Sequence, residues 1–339
     1  MAMGSLFPRL PDEIGFECLL RVELNSHHNL RCVCKSWNAA LKNPRFYQER
    51  KRLKISEQRI CMAQKIDGNW DIVVYDLEKN SCKSLPPIPQ LIYGTCHCHV
   101  VKQKLILIGN TFRAGGGNCL LLYDFACSKW REGAGMPDWR ERFASAADEE
   151  RGLIYVGGGF NCRFGLTSAS VYNVEEDRWD LLPNMNSCMD GFTGVFADSK
   201  FYVMDHRFYV MENHYRTTEV FDSYTRSWKT IENRFNSVSV CLFDRLYCFS
   251  GMGLIEYDYR QDKWNIVETF PTEDWHFIVF AVVVRHNIFI CILDRIRGQT
   301  FYMLRPPSER GGGGAFKWTA IEKPLGLQGS AIHAATLDL

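Results

Sequence analysis

The sequence predicts a small all-α head followed by an all-β six-bladed propeller, closed by a C-terminal strand in its first blade. Three observations predict it. Residues 1–54 carry apolar positions at helical spacing. From residue 60 short apolar strands take over, and an aromatic followed seven residues later by Trp recurs along the chain. The last strand-like stretch, 330–338, is of the innermost type that the first blade lacks.

Composition sets the frame. The chain has 339 residues, 46% of them apolar and 23% charged, with a net charge of +1. That balance suits a globular chain with a large core, and it points to neither nucleic acid nor a membrane as partner. No run approaches the roughly 18 apolar residues of a spanning helix, and the N-terminal MAMGSLFPRLPDE lacks the apolar stretch of a secretory signal. The 14 cysteines are scattered one by one along apolar strands, as buried free thiols of a reducing compartment would be. A cytoplasmic or nuclear location is therefore expected.

In the head, LPDEIGFECLLRV has Pro11 near a helix start and Asp12 and Glu13 in the first turn. Ile14, Cys18 and Leu19 form its apolar stripe. Ser26 can cap the next helix, where Leu30, Val33, Cys34, Trp37 and Leu41 follow i, i+3, i+4, i+7 and i+11. That spacing predicts one helix with one continuous apolar face. Pro44 ends it, and RFYQERKRLK reads as a third helix and linker. Its basic run, Arg50, Lys51, Arg52 and Lys54, reads as a solvated helix face. Three short helices in about 50 residues cannot bury their stripes among themselves alone, so the head is expected to pack on a partner or on the next domain.

The second domain, 55–339, is built from repeats. YDFACSKW ends on Trp130, YNVEEDRW on Trp179, FDSYTRSW on Trp228 and YDYRQDKW on Trp264. YDLEKNSC is a weaker copy with Cys82 at the Trp position, and a Gly-rich insert interrupts the sixth copy before Trp318. Upstream of each unit lies an apolar strand, often ending in Gly (LILIG, LIYVGGG, LYCFSG), and a further strand precedes that one. Four strands repeating at roughly 40–50 residues, with paired Gly and a Trp, mark a β-propeller of kelch type. A single blade has two apolar faces and is stable only between neighbours; the Trp is expected to seal that contact. The blades fall near 55–90 with 330–338, then 91–137, 138–187, 188–235, 236–271 and 272–325.

The head resembles an F-box, on the LP opening of LPDEI and the VC-x-x-W core of NLRCVCKSWNAAL. With the propeller behind it, nearly the whole chain resembles a plant-type F-box/kelch-repeat protein. The stretch RVELNSHHNL departs from the family pattern, which has a Pro soon after the first helix. The resemblance implies a non-catalytic substrate receptor: the head docks on a Skp-type adaptor of a cullin–RING (SCF) ubiquitin ligase, and the propeller holds a protein destined for degradation. Some plant members bind enzymes of phenylpropanoid synthesis or hormone-response regulators, and the resemblance extends to that substrate class. Leu10, Pro11, Ile14, Leu19, Val33, Cys34 and Trp37 are assigned to the adaptor groove and the head's own core together.

In a propeller the loops from outer strand to next inner strand, and from second to third strand, share one face. Here they expose Arg113, Trp139, Arg140, Phe160, Arg163, Phe164, Arg207, Tyr209, Tyr215 and Trp275. Aromatic and Arg side chains anchor protein interfaces by desolvating large areas at modest entropy cost. The loop at 205–216 is the longest and the strongest single candidate.

No cofactor or metal is expected. CHCH at 96–99 invites a zinc site, but on a strand Cys96 and Cys98 face one way and His97 and His99 the other. The glycines of VGGGFNC lack a phosphate-loop pattern, and no G-x-S-x-G or H-E-x-x-H occurs. The competing reading is a kelch-propeller enzyme, or a propeller that binds carbohydrate or another ligand, under an unrelated helical cap; the F-box-like head discriminates between the two.

Overall fold

The computed structural model describes residues 6–111, 117–161, 164–189, 193–204, 217–232, 238–250, 253–261, 263–270, 277–294, 297–307 and 315–339. Its head consists of α1 (Asp12–Leu20), a 3-10 turn at Leu24–Ser26, α2 (His27–Val33), α3 (Lys35–Lys42) and α4 (Pro44–Arg52). Six four-stranded antiparallel sheets follow as the blades.

Helix α1 starts where Pro11 and the two acids place it, and Asp12 Oδ1 accepts from the Leu6 N–H at 2.8 Å. Its buried face is Gly15, Leu19 and Leu20. Ile14 and Cys18 turn outward, which corrects the stripe read from spacing. The side chains of Leu6 and Phe7 pack at Gly15, where a Cβ would lie 2.7 Å from the Phe7 ring.

The single helix expected from Leu30 to Leu41 is two helices. Cys34 sits between them at φ −158° and ψ 167°, and its Sγ accepts from the Trp37 N–H at 3.5 Å as the N-cap of α3. The break turns Trp37 so that its indole N–H donates to Leu6 O at 2.7 Å and its ring lies 4.9 Å from that of Phe7. Ser26 makes no side-chain cap bond. Pro44 opens α4 as its first residue, with Asn43 Oδ1 accepting from the Arg45 N–H.

The basic run is also corrected. Arg50 is 2% exposed, and its guanidinium donates to the carbonyls of Leu20, Val22 and Ile55 and to Glu57. Carbonyls at the end of α1 have no partner inside their helix, and Arg50 supplies one.

The head does pack on the next domain. Leu19, Leu20, Leu41, Phe46 and Tyr47 share one core with Cys61, Ala63, Trp70, Leu337 and Leu339 of the propeller. Arg31 ties the head to blade 2 by donating to Phe125 O at 3.1 Å.

Each blade begins with its innermost strand: Tyr93–Val101, Ala144–Asp148, Thr193–Ala197, Ser239–Leu242 and Phe277–Val284 for blades 2 to 6. Blade 1 takes its own from the C-terminus. Ser330–Asp338 pairs antiparallel with Gln58–Ile66, setting Met62 opposite Ala334.

The repeat unit is a hairpin of the two outer strands. Tyr123 lies opposite Trp130, Tyr172 opposite Trp179, Phe221 opposite Trp228 and Tyr257 opposite Trp264. Ring centroids in these pairs are 5.0 to 5.2 Å apart. The Asp or Asn after the aromatic closes the turn: Asp124, Asn173, Asp222 and Asp258 each accept from the backbone N–H two residues on. The Trp reaches back to the preceding blade. Its indole N–H donates to Pro86 O from Trp130, Ala134 O from Trp179, Pro183 O from Trp228 and Thr269 O from Trp318.

The paired glycines mark a close backbone approach. Gly158 and Gly159 have φ of 66° and 91°, and a Cβ on Gly159 would stand 2.5 Å from Glu141 O. Only Gly fits both demands.

Candidate functional site

The head keeps part of its apolar surface uncovered. Pro11, Ile14, Val33 and Cys34 are exposed, Ile14 by 50% and Val33 by 60%. Leu10 and Trp37 are half-buried, and Leu19 lies inside the shared core. The Phe7–Trp37 contact joins the segment carrying Ile14 to the α2–α3 junction carrying Val33 and Cys34. Of the seven residues assigned from sequence, four are thus open to a partner and one is internal.

The head attaches where innermost strands end. Lys51 of α4 lies 3.5 Å from Asp338, the last residue of the blade 1 innermost strand. Phe125, the acceptor for Arg31, belongs to a turn between the third and fourth strands. The loops picked out as a binding surface precede innermost strands or join second to third strands, so they lie on the opposite face of the wheel.

On that far face Phe160 and Phe164 are exposed, at the short hairpin Phe160–Asn161 with Phe164–Gly165. Trp139 is half-buried. Arg140 is fully buried: it donates to Gly158 O, to Ser168 O and Oγ, and to Asp138 at 2.9 Å. Its guanidinium braces the blade 3 loop from within, a use the sequence pattern does not distinguish from display. Arg113, Arg163, Arg207, Tyr209, Tyr215 and Trp275 lie outside the described residues, as does the loop at 205–216.

Sequence reasoning passed over Leu91, Tyr93, Phe277, Leu293 and Ile332, which are exposed on the same face. Tyr93 and Phe277 are the first residues of innermost strands whose later positions are core. The signal available was position: a large apolar residue opening an innermost strand stands at the rim rather than between blades.

At the axis the alternation read from CHCH holds, and a third imidazole joins it. Cys96 and Cys98 enter the core toward blade 1, while His97 and His99 face blade 3. Ser145 Oγ lies 2.9 Å from His97 Nδ1 and 2.7 Å from His99 Nε2. The His333 ring is 5.5 Å from that of His97 and 5.7 Å from that of His99. Burial pushes His97 well below the ordinary imidazole range, His99 down to about 3 and His333 to about 4, so all three are neutral near pH 7. Among the described residues no group of His, Cys, Asp and Glu is arranged to hold a metal ion.

Residues 7–49 match the F-box domain model. Relatives of similar length carry the same two-part plan. The chain is 30% identical over 317 residues to the F-box/kelch-repeat protein At1g80440 of Arabidopsis thaliana, covering 85% of this chain and 88% of that one. It is 28% identical to F-box/kelch-repeat protein At1g15670 of the same plant, over 73% and 75% of the two chains. It is 24% identical to the putative F-box/kelch-repeat protein At1g27420 of Arabidopsis thaliana, over 97% of both chains. With an F-box head, a closed six-bladed wheel and these relatives, the chain belongs to the F-box/kelch-repeat proteins.

Proposed function

We propose that this chain is the substrate receptor of an SCF ubiquitin ligase. The head docks on a Skp-type adaptor through Pro11, Ile14, Val33 and Cys34, with Leu10 and Trp37 at the edge. The far face of the propeller holds a protein substrate against Phe160, Phe164 and the apolar rim. The receptor performs no bond chemistry. It raises the effective concentration of a substrate lysine near the ubiquitin carrier.

One observation carries the reading: much of the head merges into the propeller core while Ile14 and Val33 stay in water. Such a patch on a small domain marks a protein contact. The chain is proposed to act in the cytoplasm or nucleus, where cysteines scattered singly along apolar strands stay reduced. A metabolic enzyme of phenylpropanoid synthesis or a hormone-response regulator remains the proposed substrate class.

Co-purification with a Skp-type adaptor tests the reading. The natural chain is expected to retain the adaptor and Ile14→Asp with Val33→Asp to lose it. Equal recovery by both would remove the head from the mechanism.

A further inference from the structure

The seam between blades 6 and 1, where the ring closes, is built differently from the seam between blades 2 and 3. Trp130, Trp179, Trp228 and Trp318 each donate to a carbonyl of the preceding blade. Blade 1 has Cys82 at that position, opposite Tyr75. A second pair of positions differs beside it. Asp177, five residues after Tyr172, accepts from the Tyr172 hydroxyl and pairs with Arg131 of blade 2 at 2.6 Å, which closes that seam. In blade 1 Asn80 stands five residues after Tyr75, and in blade 6 Thr319 follows Trp318 as Arg131 follows Trp130. Two short uncharged side chains replace the ion pair, and both line a cavity of about 330 Å³ between blades 6 and 1, within the range of small-molecule sites.

Tyr75 and Leu77 of blade 1 and Val284, Met303 and Ile321 of blade 6 give the cavity apolar walls. The Tyr75 hydroxyl donates to Asn80 Oδ1 at 2.9 Å. That bond fixes the amide by its oxygen and leaves the Nδ2 end to donate. The remaining wall is cationic. Arg285 spans the seam to Glu78 at 2.7 Å, so its charge is matched. Arg305 is exposed and makes no ion pair among the described residues. No acidic residue among the described residues lines the cavity, so one positive charge is left uncompensated. A guanidinium fork fits a carboxylate, and the charge strengthens the hydrogen bonds it donates.

We propose that this cavity is a binding site for a small organic monocarboxylate, with its apolar body between blades 6 and 1 and its carboxylate on Arg305 and the Asn80 amide. A molecule seated there touches both sides of the closing seam and supplies the contact that Arg131 and Asp177 make between blades 2 and 3. The site goes beyond adaptor and substrate docking and does not depend on either.

Naphthoate is the probe, with neutral naphthamide as its control, and equilibrium dialysis against the purified full-length chain is the measurement. Naphthoate is expected to bind saturably at one site, roughly tenfold tighter than naphthamide. Arg305→Gln brings naphthoate down to the naphthamide level and leaves naphthamide as it was. Asn80→Asp with Thr319→Arg rebuilds the ion pair of the other seam and abolishes binding of both probes, with thermal unfolding no lower than that of the natural chain. Absence of saturable naphthoate binding to the natural chain overturns the proposal. So does full binding by the folded double variant, since the probe then sits elsewhere. If the double variant fails to fold, the Arg305→Gln comparison decides: equal loss for both probes, or loss for neither, rejects the carboxylate site.

Discussion

Glu57 and Leu339 exchange two backbone hydrogen bonds, Glu57 N–H to Leu339 O at 2.7 Å and Leu339 N–H to Glu57 O at 3.2 Å. The residue leading into the first propeller strand is thereby paired with the last residue of the chain. Leu337, 1% exposed, carries the C-terminal strand into the core that head and blades share. Deleting residues 330–339 should therefore abolish a single cooperative unfolding transition, because blade 1 loses its innermost strand and the ring opens. Leu337→Ala alone should cost about 3 kcal/mol by denaturant titration. A deletion variant that melts like the natural chain would show that the ring closes without this strand.

Arg50 and Lys51 are neighbours with opposite fates, since Arg50 is bonded to carbonyls of the head and Lys51 is largely in water. Arg50→Ala is expected to destabilise the chain by about 3 kcal/mol, leaving carbonyls and Glu57 unpaired. Lys51→Ala should change it by less than about 0.5 kcal/mol. Comparable urea midpoints for the two variants would contradict the buried assignment.

The indole ladder separates two contributions. Trp179 packs on Tyr172 and donates to Ala134 O at 2.9 Å. Trp179→Phe keeps an aromatic ring and removes the donor, so a loss of about 1 kcal/mol is expected. Trp179→Ala also loses the ring and should cost about 3 kcal/mol or more. If both cost the same, the ring contact contributes little.

Burial lowers His27 from 6.5 to about 4; it is 2% exposed beside Phe46 and Tyr47, with Nε2 donating to Val22 O. A histidine held neutral in the folded state binds its proton more readily when unfolded. Its contribution is complete above pH 6.5 and is lost as pH falls toward 4. His97, His99 and His333 behave alike. From about pH 7.5 to about pH 5.5 each should remove roughly 1 kcal/mol of stability. His27→Phe should flatten that acid limb by about a quarter, and an unchanged slope in urea titrations would refute the buried neutral imidazole.

What could be read from the chain alone was what is local. The hairpin of aromatic, Asp or Asn, and Trp was legible because strand pairing and turn chemistry both lie within eight residues. The closing strand was legible because blade 1 had no other source of one. Cys34 was not: apolar spacing is blind to φ, and the same i, i+3, i+4, i+7 pattern fits one helix or two. Arg50 and Arg140 escaped for another reason. A basic residue near unpaired carbonyls is buried or displayed according to backbone far away in sequence, and only folding brings that backbone near. The same holds at the axis, where His333 meets Cys98 across a separation of 235 residues.

Hydrogen exchange of the full-length chain, with and without a Skp-type adaptor, tests the division between docking head and holding wheel most directly. Protection is expected in residues 12–18 and 31–38, around Ile14 and Val33, with exchange at Phe160 and Phe164 unaltered. Protection on the propeller's far face, or none in the head, would contradict it.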